Sequence, residues 1–377
     1  MEPSISYTIN GKKFHTRTNF LNFCLEQKNK RELFNTAKFE YKGLPTSVNI
    51  RQKIDPVAAT KKWIDGLREE GKPIVLLFSG GLDAIFALDL MIRGNCPPDY
   101  LLVYTKNIFD NDNFYNAQNV EPQYALRYCQ EIIAGNSVMK NTGLWHIHIN
   151  KADADKHFAE EEWVKQQSFD HTIEGVMPFK TLPHITEEER EKYVFISGGC
   201  WPKSKWVDGK LDSFFVVDRQ LCSDLESNTK KQYDFILDNP DMVKYLCTQY
   251  YHFIDKLSIG SKEKSLEHMY ECHGDHADKR FLEEYRRLIP TMPPQLDKRF
   301  DILLPYIEDS ELDTAYPYHA YLHRQYFKAW VLYLEAEFHK PDWFRVYKES
   351  FARHEKYIKE VSTYPGKMTN PIKIEGR

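Results

Sequence analysis

Between residues 70 and 200 the chain alternates short, largely apolar runs with helix-length amphipathic segments. The runs lie at 74–78, 100–104, 144–149 and 193–196. A strand with one wet face alternates apolar and polar residues, whereas a run that is apolar throughout is buried on both faces. Helical periodicity fills the intervals at 83–93, stopped by Gly94, at 122–134, ended by Gly135, and at 155–167. A helix over 58–70, closed by Gly71, precedes Pro73 and the first run. Strands of this kind separated by helices require a parallel sheet covered on both sides. The fold class expected is therefore α/β, a doubly wound parallel sheet over 56–220.

Beyond Leu221 the strand signal fades. Segments 241–257, 277–288, 312–338 and 343–361 read as helices, and Tyr318, Tyr321, Tyr326, Phe327 and Trp330 form an aromatic stripe that reads as packing. Residues 221–373 are thus expected to form a helical C-terminal subdomain. Residues 1–55 read as an N-terminal extension with short strands near 4–9 and 39–42. The last four residues, Ile374-Glu375-Gly376-Arg377, look like a protease-recognition remnant of an expression vector and are set aside at this stage. A chain of 377 residues is long enough for two such domains.

Composition narrows the class further. With 42% hydrophobic and 28% charged residues the chain reads as an ordinary globular protein. No apolar run approaches the ~20 residues of a membrane-spanning helix, and no signal peptide opens the sequence. The seven cysteines are odd in number and include no Cys-x-x-Cys pair, which argues against a disulfide framework or a cysteine zinc site and for a reducing, cytoplasmic setting. Net charge is −4, so no global field favours nucleic acid. Residues 1–73 carry 14 Lys and Arg against 8 Asp and Glu, a bias that reads as a solvated face rather than a polyanion contact.

Chemistry is expected where the first strand ends. In a parallel sheet, ligands sit at the carboxyl ends of the strands. The turn there is Ser79-Gly80-Gly81-Leu82-Asp83. Two glycines permit positive φ and a close backbone approach. Successive N–H groups in such a turn cradle an anion, and the following helix adds the positive end of its dipole. Ser79 can donate its hydroxyl to a phosphate oxygen. Asp83 is acidic where a phosphate would lie, so a bridging cation is needed, and Mg²⁺ is the natural one. Neither a Gly-x4-Gly-Lys-Ser/Thr nor a Gly-x-Gly-x-x-Gly motif occurs at this turn, which disfavours a P-loop or a dinucleotide fold.

Phe78-Ser-Gly-Gly-Leu-Asp-Ala84 resembles the PP-loop, Ser-Gly-Gly-x-Asp-Ser, of the ATP pyrophosphatase superfamily, whose domain is of the HUP type. That superfamily includes asparagine, GMP and argininosuccinate synthetases, tRNA thiolation enzymes and phosphosulfate reductases. The resemblance implies that Ser79, Gly80, Gly81, Leu82 and Asp83 hold Mg²⁺ and ATP, that the α-phosphate is attacked, and that pyrophosphate leaves. It also implies that the end of the second strand, Tyr104-Thr105, seats adenine and ribose through backbone groups. Ala84 stands where the motif ends in Ser, so one hydroxyl donor is missing.

The fourth strand runs into a second such turn, Ser197-Gly198-Gly199-Cys200-Trp-Pro-Lys203-Ser-Lys205. Its glycines suggest another backbone approach to ligand, and Lys203 and Lys205 could neutralise leaving pyrophosphate. The Ser-Gly start resembles the corresponding strand end of asparagine synthetase C-terminal domains, without their acidic residues. Asp297-Lys298 and 304–309 share faint features with the same family. No glutaminase-type cysteine follows Met1, so a nitrogen donor would come from another protein.

The expected function is an ATP-dependent, AMP-forming ligase that adenylates a carboxylate or carbonyl oxygen and makes an amide or C–N bond. Its acceptor is a small molecule or nucleotide. Cys200 is a candidate nucleophile and motivates an alternative, sulfur transfer to or modification of a nucleotide or nucleic acid. A degenerate nucleotide-binding interaction module is the third reading. His146 and His148 share a face of the third strand and could line the cleft or be partly buried. Cys272-His273-Gly-Asp275-His276 groups metal-capable side chains too tightly for one zinc site. Residues 168–186, with Asp170, Lys180 and His184, read as a substrate-binding lid, and Glu187–Glu189 as a solvated helix start.

Overall fold

Ile74–Leu77 (β5), Tyr100–Asn107 (β6), Gly143–Asn150 (β7) and Val194–Ser197 (β8) occupy the four apolar runs. All lie parallel in one sheet. The computed structural model describes residues 5–15, 20, 23–24, 27, 36–80, 82–107, 120–150, 152–153, 185–199, 202–207, 210–216, 232–257 and 368–377. A fifth parallel strand, Gln232–Asp234 (β11), pairs with β8. The order across the sheet is β11-β8-β5-β6-β7. From β5 the chain thus steps to β6 and β7 on one side, then returns to β8 and β11 on the other. The connections reverse between β5 and β8. The domain is α/β and Rossmann-like.

The helices follow the same logic. Pro56–Arg68 (α1) starts on Asp55, whose side chain accepts the Val57 N–H at 2.9 Å, with proline in the first turn where no N–H is needed. Leu82–Arg93 (α2) follows β5, Val120–Gly135 (α3) lies against β6 and β7, and Pro240–Leu257 (α5) packs on α1. One sheet face, with Ile74, Leu76, Phe78, Leu101, Val103, Val194 and Ile196, joins the core that these helices close. The opposite face carries Val75, Leu102 and Phe195 with Ile185, flanked by half-buried Tyr100, Tyr104, Trp145 and Tyr193. Glu187–Lys192 (α4) packs beside β8. Its Thr186 and Glu189 form a reciprocal capping box, the solvated helix start expected from the Glu run.

Two further sheets flank this domain. Ile5–Ile9 (β1), Lys12–Phe14 (β2) and Lys38–Tyr41 (β3) form an antiparallel sheet in the order β2-β1-β3. Asn10 and Gly11, both at positive φ, make the two-residue turn that matches strand twist. Tyr7, stacked on Phe20 at 4.8 Å, and Phe39 bury its inner side.

Ser47–Asn49 (β4), Lys203–Val207 (β9), Lys210–Phe215 (β10) and Ile372–Glu375 (β12) form a mixed sheet in the order β4-β12-β10-β9. Ile374 and Glu375 belong to β12. Ile374 and Glu375 pair with Val48 and Asn49, the Ile50 N–H donates to the Glu375 carbonyl at 3.1 Å, and an Arg377 guanidinium N–H donates to the Asp212 carbonyl. Backbone donors and acceptors in a sheet need partners, and Ile374 and Glu375 supply them to β4.

Among the described residues, no helix is long and apolar enough to cross a membrane. Helix α5 matches the expected helix at 241–257. The other helices expected in the C-terminal subdomain, and the one at 155–167, lie outside the described residues, as do most of 168–186, Asp297-Lys298, 304–309 and the Cys272–His276 group.

Candidate functional site

The loops after β5 and β8 leave adjacent strands at the point where the sheet's connections reverse. In open α/β sheets this crevice is where ligands bind. Leu76 is level with Ile196, so Phe78 and Ser79 leave the sheet beside Ser197 and Gly198. Phe78 still belongs to the sheet, donating its N–H to the Leu102 carbonyl at 2.8 Å. Its ring stacks on Tyr128 of α3 at 5.7 Å, which anchors the loop's first residue. Ser79 is exposed, and Gly80 takes φ +82°, the left-handed conformation expected of this turn. Leu82 opens α2, and Asp83 lies in its first turn, half-buried. Gly81 lies outside the described residues. Ala84 is 3% exposed and part of the core, so a hydroxyl there would be buried.

The second Ser-Gly-Gly has a packing reason for its glycines. A Cβ at Gly198 would come within 2.9 Å of the Ala84 nitrogen and 3.0 Å of Asp83 backbone carbon and Cβ. Gly198 therefore lets β8 lie directly against the first turn of α2. Gly199, at φ +110°, meets the other side: its Cβ would lie 2.6 Å from Asp234 Oδ1 and 3.0 Å from the Ile236 nitrogen. Ser197 donates its hydroxyl to the Tyr233 carbonyl at 3.3 Å, tying β8 to β11. The turn at 197–199 is thus wedged between α2 and the end of β11.

Asp234, which periodicity did not single out, organises that end. It is 1% exposed, and Oδ1 accepts the N–H groups of Ile236 at 2.9 Å and Leu237 at 2.8 Å. Its own N–H donates to Asp238 Oδ2 at 2.7 Å. Asn239-Pro240, a helix-start signal, was the only local cue to this turn.

The remaining candidates are distributed. Lys203 and Lys205 sit on β9 in the mixed sheet, not on the parallel one. Ser204 between them is buried, with its Oγ 3.4 Å from Tyr250 Oη, so both lysines project from the opposite side, Lys205 exposed and Lys203 half-buried. Cys200 lies outside the described residues. Tyr104 is half-buried on the second sheet face. Thr105 is fully buried, and its hydroxyl lies 2.7 Å from His146 Nε2 and 2.9 Å from His148 Nδ1. Although His146 is exposed, partial desolvation of its ring and the neighbouring His148 lower its pKa from the usual value.

Among the described residues no three His, Cys, Asp or Glu side chains converge as a metal site. A cation held at Asp83 would take phosphate oxygens and water beside the carboxylate, as Mg²⁺ commonly does. The residues fit such a group: a left-handed glycine, a helix start and one carboxylate at the same turn. No protein-family model matches the chain, and no curated protein is significantly similar to it.

Proposed function

We propose that the chain is an ATP-dependent, AMP-forming ligase that releases pyrophosphate while joining an amine or other nucleophile to an adenylated carboxylate or carbonyl oxygen. One observation carries this reading. A strand–glycine turn–helix element bearing Ser79 and Asp83 opens at the reversal point of a parallel sheet, with Gly80 in the conformation that an anion cradle uses. The turn supplies N–H groups and the helix dipole to phosphate oxygens, and Asp83 would hold Mg²⁺. Bound there, the ion would neutralise charge on the phosphates.

The PP-loop resemblance of 78–84 supports pyrophosphate as the leaving group. An acceptor oxygen attacks the α-phosphorus, the α–β bridging bond breaks, and pyrophosphate departs. The nucleophile then displaces AMP from the acyl-adenylate. Catalysis of this type rests on positioning and electrostatic stabilisation, with no protein nucleophile required.

The test is exchange of labelled pyrophosphate into ATP across panels of carboxylate and carbonyl acceptors, with calorimetry for Mg-ATP beside it. Acceptor-dependent exchange supports the reading. Binding of ATP without exchange under any acceptor overturns it in favour of a nucleotide-binding module, and no heat at millimolar ATP removes the nucleotide as well.

A further inference from the structure

The carboxyl ends of β6 and β7 run past the end of β5. Leu77 is level with Leu102, yet β6 and β7 remain paired as far as Asn107 and Asn150. Along β6, Leu101, Val103 and Thr105 share the face that α2 and α3 cover, and His146 and His148 stand beside Val103 and Thr105 on that face. His146 is therefore one residue past the level at which Phe78 meets Leu102, two strands from β5. Two strand spacings are about 10 Å, a span that a bound nucleotide bridges. Both histidines are exposed, whereas the hydroxyl between them is buried.

That hydroxyl has one proton for two ring nitrogens. While both imidazoles are neutral, only two arrangements satisfy it. In one, Thr105 donates to His146 Nε2 and accepts from His148 Nδ1–H. In the other, it accepts from His146 Nε2–H and donates to His148 Nδ1. The second leaves a lone pair on His146 Nδ1, which has no hydrogen-bond partner among the described residues. The two rings are thus linked through the hydroxyl: moving one proton at His146 moves one at His148.

We propose that His146, Thr105 and His148 form a proton relay on the rim of the nucleotide site, with His146 accepting the proton shed by an attacking amine or hydroxyl nucleophile. This rests on the ligase reading above. The nucleophile's N–H or O–H proton goes to His146 Nδ1, making an imidazolium. His146 Nε2–H then passes to Thr105 Oγ1 as the Thr105 proton passes to His148 Nδ1. His146 ends neutral, the positive charge rests on His148, and one proton has been gained. Two charged rings at once would leave the hydroxyl accepting twice beside like charges, so the relay holds one extra proton rather than two.

Arg127 and Glu131 on α3 are exposed and paired at 2.9 Å. Tyr128 is stacked on Phe78, and Asp153 accepts the Asn150 N–H at 2.9 Å.

The test is imidazole ¹⁵N NMR of the full chain, titrated with acid and then with Mg²⁺ and α,β-methylene-ATP. The expected result is coupled titration, the second proton binding at least about tenfold more weakly than the first. Thr105→Val should uncouple the rings and change their tautomers, whereas Thr105→Ser should retain the wild-type pattern. His148→Ala removes the second partner of the Thr105 hydroxyl and should shift the His146 tautomer balance; an unchanged His146 tautomer in this variant would overturn the relay. Saturating probe should shift the His146 resonances. Independent titration of the wild-type rings overturns the relay. So does calorimetric binding of the probe that leaves both rings unmoved, an outcome under which the nucleotide site stands. A probe that does not bind at all removes the ligase reading and the relay with it.

Discussion

Gly198 and Ala84 meet backbone to backbone: a Cβ on the glycine would sit 2.9 Å from the alanine nitrogen. This contact joins the two Ser-Gly-Gly turns into one wall, and it makes the second turn a support for the first. Gly198→Ala must push α2 away from β8. The expected cost is about 1–3 kcal/mol of stability, as for other overpacked sites, with weakened ATP binding. Urea unfolding beside calorimetry for Mg-ATP measures both; an unchanged urea midpoint would show that the wall yields freely.

Asp234→Ala leaves the Ile236 and Leu237 N–H groups without their acceptor in a buried turn. Loss on the order of 3 kcal/mol is expected, while Asp234→Asn keeps an acceptor oxygen and should lose about 1 kcal/mol. Chemical denaturation of the two variants side by side checks the order. Equal loss in both would assign the effect to the carboxylate charge instead.

Asp83→Asn keeps the size of the side chain and removes the charge that would hold Mg²⁺. Pyrophosphate release should fall by about 100-fold or more, and nucleotide binding should lose its Mg²⁺ dependence. Titrations with and without chelator read this directly. Retained Mg²⁺ dependence would move the ion to other ligands.

Removing residues 374–377 should lower the unfolding midpoint, with about 2 kcal/mol at stake from the backbone bonds to β4 and the burial of Ile374. A vector remnant with no structural part would leave the midpoint where it was. Thermal melts of the full and shortened chains distinguish the two.

Cys24, Cys96, Cys129 and Cys247 are buried and free of disulfides. Burial pushes the Cys96 thiol up to about 11 and the Cys129 thiol to about 12, so neither forms thiolate near neutrality. Native labelling at pH 8 should leave all four unmodified by peptide mapping, and denaturant should expose them. Rapid native labelling of any of the four would show that its shell opens.

The β5–α2 unit was legible because its signals are local. An apolar run, a glycine turn and an amphipathic helix follow one another within twenty residues, and Gly80 takes the backbone conformation that such a turn implies. The alternation of histidines at 146 and 148 was visible too, but the hydroxyl they share comes from another strand. Asp234 was not legible: β11 is three residues long, and Gln-Tyr-Asp carries no periodicity. Lys203 and Lys205 looked close to the second turn in sequence, yet β9 joins a different sheet.

The amino-acid sequence by itself determined the four central strands and the helices that precede and separate the first three of them, since backbone preference and apolar period act over neighbouring residues. Tertiary structure alone decided which strands pair. It set β8 beside β5, so that Gly198 bears on α2. It placed β11 next to β8, and brought Ile372–Glu375 back to Ser47–Asn49. Those pairings join residues up to hundreds of positions apart, and they are selected by burial and by satisfied backbone hydrogen bonds summed over the whole core.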